Sequence, residues 1–117
     1  MRKTTKIVAL DQHMESMTVA LLGSRQKMPV IYGDIANRPE AVAKLARRLD
    51  DGKTRLRFCY EAGPCGYGVY RQVTQMGHEC AVVAPSMIPR RPGERIKTDR
   101  RDAASLARLH RLGDLTP

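Results

Sequence analysis

Residues 80–84, CAVVA, form a near-continuous apolar run that Pro85 closes. A strand without polar alternation is the kind buried on both faces, as in a parallel sheet covered by helices. The run therefore calls for helical partners on both sides, and the chain supplies them. Pro39 opens a segment in which Val42, Leu45, Ala46 and Leu49 follow the i, i+3, i+4, i+7 spacing of an amphipathic helix, with Gly52 expected at its C′ position and Lys44, Arg47 and Arg48 outside. A second helix has Val69, Val73 and Met76 as its buried stripe and ends at Gly77.

The segments before these helices read as strands. Lys6 to Leu10, KIVAL, ends in Asp11; Met17 to Leu22 follows a polar QHMES connection as the second arm of a hairpin; Met28 to Ile35 is a third strand after a GSRQ turn. Leu56 to Tyr60 is a fourth, ending at Glu61 and leading through AGPCGYG into the second helix. The order is three strands, helix, strand, helix, strand, basic loop and helix, an α/β layout built on a mixed sheet. Right-handed crossovers place the fourth strand beside the first, so Asp11 and Glu61 end neighbouring parallel strands. Open α/β sheets put their sites at that end.

The last helical stretch, Thr98 to Gly113, sorts its residues by chemistry. At about 100° per residue, Asp99, Asp102, Leu106 and Leu109 share one stripe, while Arg100, Arg101, Arg108 and Arg111 fall opposite. Thr98 as N-cap and two acidic residues in a first turn are also ordinary helix chemistry. The leucines must face a core, which aims the two carboxylates at its edge, where Asp is rarely left without a partner. Packed on the sheet, this helix can bring Asp99 and Asp102 to Asp11 and Glu61. Four carboxylates at one point repel one another unless cations neutralise them. Oxygen-only ligation suits Mg²⁺, with Mn²⁺ as a substitute, and two such ions activate a water or hydroxyl and stabilise the leaving oxygen in phosphodiester chemistry.

Charge narrows the class of partner to a polyanion, such as nucleic acid or an anionic membrane surface. The 117 residues carry a formal net charge of +9 and a pI near 10.0, an excess that favours a polyanion. It is concentrated beside the acidic pair: from Arg90 to Arg111 eight basic residues face three acidic ones. Arg90, Arg91, Arg95 and Lys97 lie in a proline- and glycine-bearing loop, and with Arg100 and Arg101 they are the candidate contacts to a nucleic-acid backbone. The length fits a single domain, residues 1–117. No apolar run approaches a membrane span, and the apolar stretch after the basic start is too short for a signal peptide, so the expected location is the cytoplasm with no membrane partner.

Other features carry no role. Cys59, Cys65 and Cys80 are odd in number and lack C-x-x-C spacing, which suits free, mostly buried thiols. His13, His78 and His110 have no metal-ligand spacing. Residues 63–68, GPCGYG, lack the G-K-[ST] ending of a P-loop and read as a tight strand-to-helix turn. Ser86 and Ser105 have no adjacent base or elbow motif.

Asp11, CYEAGPCGYGVYRQ, VVAPSMIPRRPGERIKTDRRDA and LARL together resemble the N-terminal domain of DEDD-type bacterial insertion-sequence transposases of the IS110 family, over nearly the whole chain. The resemblance implies a ribonuclease H-like (RuvC-like) fold whose four acidic positions are Asp11, Glu61, Asp99 and Asp102, binding magnesium. It also implies a recombinase that excises and inserts a mobile DNA element, guided by a structured RNA and forming a homo-oligomer at full length. Such proteins carry a second, C-terminal domain with a serine nucleophile, which lies outside these residues, so the chain reads as a fragment or a truncated frame. Two alternatives stay open: a non-catalytic nucleic-acid-binding module and a stand-alone junction resolvase.

Overall fold

The computed structural model describes residues 4–24, 26–61 and 68–83, together with Ala103 and Ala107. Five strands and two helices fill the continuous part: β1 (Thr4–Gln12), β2 (Ser16–Gly23), β3 (Val30–Ala36), α1 (Pro39–Leu49), β4 (Thr54–Glu61), α2 (Gly68–Gln75) and β5 (Glu79–Val83). The strands form one sheet in the order β3-β2-β1-β4-β5. β1 and β2, and β2 and β3, pair antiparallel, whereas β4 lies parallel to both β1 and β5. This is the ribonuclease H-like α/β sheet that the sequence led us to expect.

Strand alternation divides the core in two. Val8, Leu10, Val19, Leu56, Phe58 and Tyr60 point to one face, where they pack with Val42, Leu45 and Ala46 of α1 and Val73 of α2. Ile7, Ala9, Ala20, Leu22 and Cys59 point to the other and pack with Ala103 and Ala107, both helical and fully buried. The first face holds the large side chains; fully burying one such as Phe58 contributes about 1.5–3 kcal/mol. Among the described residues the second is built mainly of alanines, so a helix can lie close against it.

The helix ends follow their local chemistry. α1 begins with Pro at N1, whose missing N–H costs nothing there. Its C-cap is Asp50 in an extended conformation, so Gly52 is not the C′ residue the spacing predicts. Gly52, at φ 77°, sits in the following turn, where Asp51 Oδ1 accepts the N–H groups of Lys53 and Thr54 at 2.7 Å each and holds the Asp51 carboxyl below its usual range. α2 does close as expected. His78 N–H donates to Val73 O at 3.0 Å and Gly77 N–H to Thr74 O at 3.1 Å, a Schellman motif whose C′ residue is Gly77 at φ 92°.

Two strands depart from the sequence reading. All five residues of β5 are half-buried, because among the described strands it pairs only with β4 and stands at the end of the sheet. Its side chains nevertheless serve both faces, Cys80 and Val82 on one and Ala81 and Val83 on the other. β3 begins at Val30 rather than Met28, which is exposed. It is also bulged: Gly33 pairs with Val19 but Ile31 with Ala20, which leaves Tyr32 as an extra residue beside Gly33 at φ 134°. The bulge switches faces, so Ile35 packs in the first cluster and Ile31 in the second although both are odd-numbered. Among the described residues no helix is long and apolar enough to cross a membrane.

Candidate metal centre

β1 and β4 run side by side in register, from Thr4 opposite Thr54 to Leu10 opposite Tyr60. One residue further along each strand stand Asp11 and Glu61. Ile7 and Ala9 place Asp11, and Cys59 places Glu61, on the face that carries Ala103 and Ala107. The two carboxylates therefore end adjacent parallel strands about 4.8 Å apart and share one side of the sheet. Both are partly shielded, and the Asp11 side chain is only 16% exposed.

The row that contains them crosses all five strands. Asp11 is opposite Thr18, Thr18 is opposite Asp34, and Glu61 is opposite Val83. Thr18 is fully buried and its Oγ1 donates to Asp34 Oδ1 at 2.9 Å, so a hydrogen-bonded pair stands beside Asp11 on the same face. His13 lies at the strand end with its Nε2 3.2 Å from Asp11 Oδ2. The backbone holds this corner: His13 N–H donates to Ser16 O at 2.8 Å, and Asn37 Nδ2 donates to His13 O at 2.6 Å.

Sequence reasoning missed Thr18, Asp34 and the approach of His13. Thr18 is hidden in the apolar run MTVALL, and its neighbours become visible only once the strand register is known. The alanine pair was also missed, although its i, i+4 spacing was available. At about 40° per four residues, Ala103 and Ala107 lie roughly 40° and 80° from Asp99, on the side away from Leu106 and Leu109. Asp99, Asp102, Leu106 and Leu109 lie outside the described residues, as do Arg90, Arg91, Arg95, Lys97, Arg100 and Arg101. So do Cys65, His110, the GPCGY turn, Ser86 and Ser105.

Among the described residues, no three His, Cys, Asp or Glu side chains converge closely enough to hold a metal ion. Asp11 and Glu61 supply hard oxygen donors of the type Mg²⁺ takes, but a divalent site needs more oxygens than these two side chains bring. Neither of the two described cysteines is in a disulfide. Cys59 is buried, and burial pushes the Cys80 thiol up to about 12, so Cys80 offers no thiolate. His78 is buried against Phe58, with ring centroids 5.8 Å apart, away from the carboxylate row.

Over 110 residues the chain is 44% identical to y4qE of Sinorhizobium fredii, a protein that carries a transposase name, covering 93% of this chain and 28% of that protein. It is 38% identical over 104 residues to the transposase for insertion sequence element IS1533 of Leptospira borgpetersenii, covering 89% of this chain and 30% of that one. The chain thus spans less than a third of the length of these relatives. A family model described as a transposase, of the DEDD type and the IS110 group, matches residues 8–117, and the chain belongs to that family.

Proposed function

We propose that Asp11, Glu61, Asp99 and Asp102 form one divalent-metal site and that the domain uses it on DNA phosphodiester bonds during excision and insertion of a mobile element. The observation that carries this reading is the placement of Asp11 and Glu61. They end adjacent parallel strands on the face where helical Ala103 is buried, and Asp102 precedes Ala103 by one residue and Asp99 by four. In this reading Mg²⁺ or Mn²⁺, when bound, supplies the Lewis acid that activates an attacking water or hydroxyl and stabilises the leaving oxygen. Asp11 stands near the end of β1, which lies between β2 and β4 in the sheet. Thr18 and Asp34 keep its neighbouring strand in place, and His13 limits the rotation of its carboxylate. Calorimetric titration of Mg²⁺ into the chain tests the proposal. A saturable isotherm is expected, and heats no larger than dilution would overturn it.

The reading extends to partners. The net charge of +9 suits a nucleic-acid backbone. In the full-length protein we propose DNA as the target, a structured RNA as guide, and self-association. We assign backbone contacts to Arg90, Arg91, Arg95, Lys97, Arg100 and Arg101. Replacing Arg90, Arg91 and Lys97 with Ala is expected to weaken binding to DNA and to structured RNA and to lower the salt slope by roughly two to three units, if each residue meets one phosphate. Binding measured across a salt series checks this. Equal slopes for the two proteins would remove these residues from the interface.

A further inference from the structure

The turn between β1 and β2, from His13 to Ser16, has little of its own to keep it in shape. Met14 at its tip is 92% exposed and Glu15 is exposed as well, so the tip gains nothing from packing. None of its residues is at positive φ, the conformation needed by the tight hairpin turns that follow the twist of their strands. His13 N–H donates to Ser16 O at 2.8 Å across the base of the turn. Asn37, from a different segment, meets the turn at two further points. Its Nδ2 donates to His13 O at 2.6 Å and its backbone N–H to Glu15 O at 3.0 Å, so a single residue grips the turn on both sides of Met14.

Asn37 is itself held on both sides. It stands one residue past Ala36, which pairs with Ser16 at the end of β3, and two before Pro39, where α1 begins. Arg38 N–H donates to Ala36 O at 2.8 Å, and Gln72 Nε2 donates to Pro39 O at 2.6 Å, which ties the start of α1 to α2. The turn is thus moored to the helical layer as well as to its own strands. What it carries is the His13 ring, whose Nε2 is 3.2 Å from Asp11 Oδ2, and neither atom is open to solvent. Where the ring lies follows from where the His13 backbone is held, and Asn37 holds it.

We infer that Asn37 is a positioning residue for the carboxylate row: by fixing the β1–β2 turn it keeps the His13 ring against Asp11 and so sets the orientation of that carboxylate. Groups that orient a metal ligand without touching the ion change its affinity, by about tenfold or more when they contact the ligand directly. Asn37 stands one contact further out, so its effect is smaller. That the carboxylates bind a metal rests on the function proposed above; the placement of the ring does not.

The test uses the whole chain. In EDTA at one fixed pH, the His13 ring signal in a proton–carbon NMR spectrum, identified by its loss in His13→Ala, reports whether the ring stays beside Asp11. Asp11→Asn should move that signal by removing the charge of its neighbour, and Asn37→Ala is expected to move it in the same direction, toward the position of an exposed histidine. An unmoved signal in Asn37→Ala would overturn the inference even if the variant melts at a lower temperature, since Asn37 would then be structural only. Calorimetric titration of Mg²⁺ gives the second readout. Asn37→Ala is expected to weaken binding about three- to tenfold, and to change it by less than about 1.5-fold in a chain that already carries His13→Ala. Equal losses in the two backgrounds would also overturn the inference, because Asn37 would then act on the site without His13. If Asn37→Ala does not fold, Asn37→Asp takes its place. It keeps the shape and the backbone bond to Glu15 but lacks the side-chain donor, and its added charge is present in both backgrounds and cancels in the comparison. Should the wild-type chain bind no Mg²⁺, the proposed function fails, and the ring signal alone decides for or against Asn37.

Discussion

Asp11→Asn is expected to abolish the thermal stabilisation that Mg²⁺ gives the wild-type chain. A metal that binds only the native arrangement stabilises it by RT ln(1 + [L]/Kd), about 2.7 kcal/mol when the ion is at a hundred times its dissociation constant. In a domain of this size that corresponds to a rise in melting temperature on the order of 10 °C or more. Asn keeps the shape of Asp but removes the charge that the cation neutralises. Without metal, the variant should melt at or above the wild-type temperature, since one contributor to carboxylate repulsion is gone. Melting curves of both proteins across a metal titration give the answer. Equal gains in wild type and variant would take Asp11 out of the site, and no gain in wild type would take away the site itself.

Ala103→Leu is expected to cost about 1–3 kcal/mol, because it forces three extra carbons into a seam already filled by Ile7, Ala9, Ala20, Leu22 and Cys59. Denaturant unfolding would show the loss as a lower midpoint with an unchanged slope. The substitution has a second readout. If the helix that holds Ala103 also carries Asp99 and Asp102 to the strand ends, moving it outward should weaken metal binding in proportion. Full stability in Ala103→Leu would mean that the alanine seam is loosely packed. Lost stability with undiminished metal affinity would detach the helix from the site.

Much of this architecture was legible in the residues, for identifiable reasons. α1 declared itself through Pro39 and a four-residue apolar stripe, and α2 through its stripe and Gly77, because these signals are local. Asp11 and Glu61 were legible as a pair because each closes an apolar run and the crossover rule fixes which strands are neighbours. The β3 bulge was not legible. Tyr32-Gly33 reads as ordinary strand and turn residues, and the face switch it produces depends on Val19 and Ala20 of the partner strand. Two-sided packing of CAVVA followed from its composition, but full burial did not, because depth in a sheet depends on what lies beyond the strand. The Thr18–Asp34 bond was beyond reach for a related reason. It arises from side chains brought together by register and leaves no periodic trace.

The inequality between the two sides of the sheet has a kinetic consequence. Phe58, Tyr60, Leu10 and Leu45 hold one side, while among the described residues the other is held largely by alanines, which bury far less apolar area for each residue ordered. Proteins open in cooperative parts, and the part with the least buried area opens first. The amides of Ala103 and Ala107 should therefore exchange with deuterium well before those of Leu10 and Phe58, through an opening that releases their helix and leaves the sheet and α1 closed. If that helix brings half of the carboxylates, the site is assembled by its least firmly held element, and an ion or a bound strand that keeps the element in place should slow its exchange more than that of any other segment.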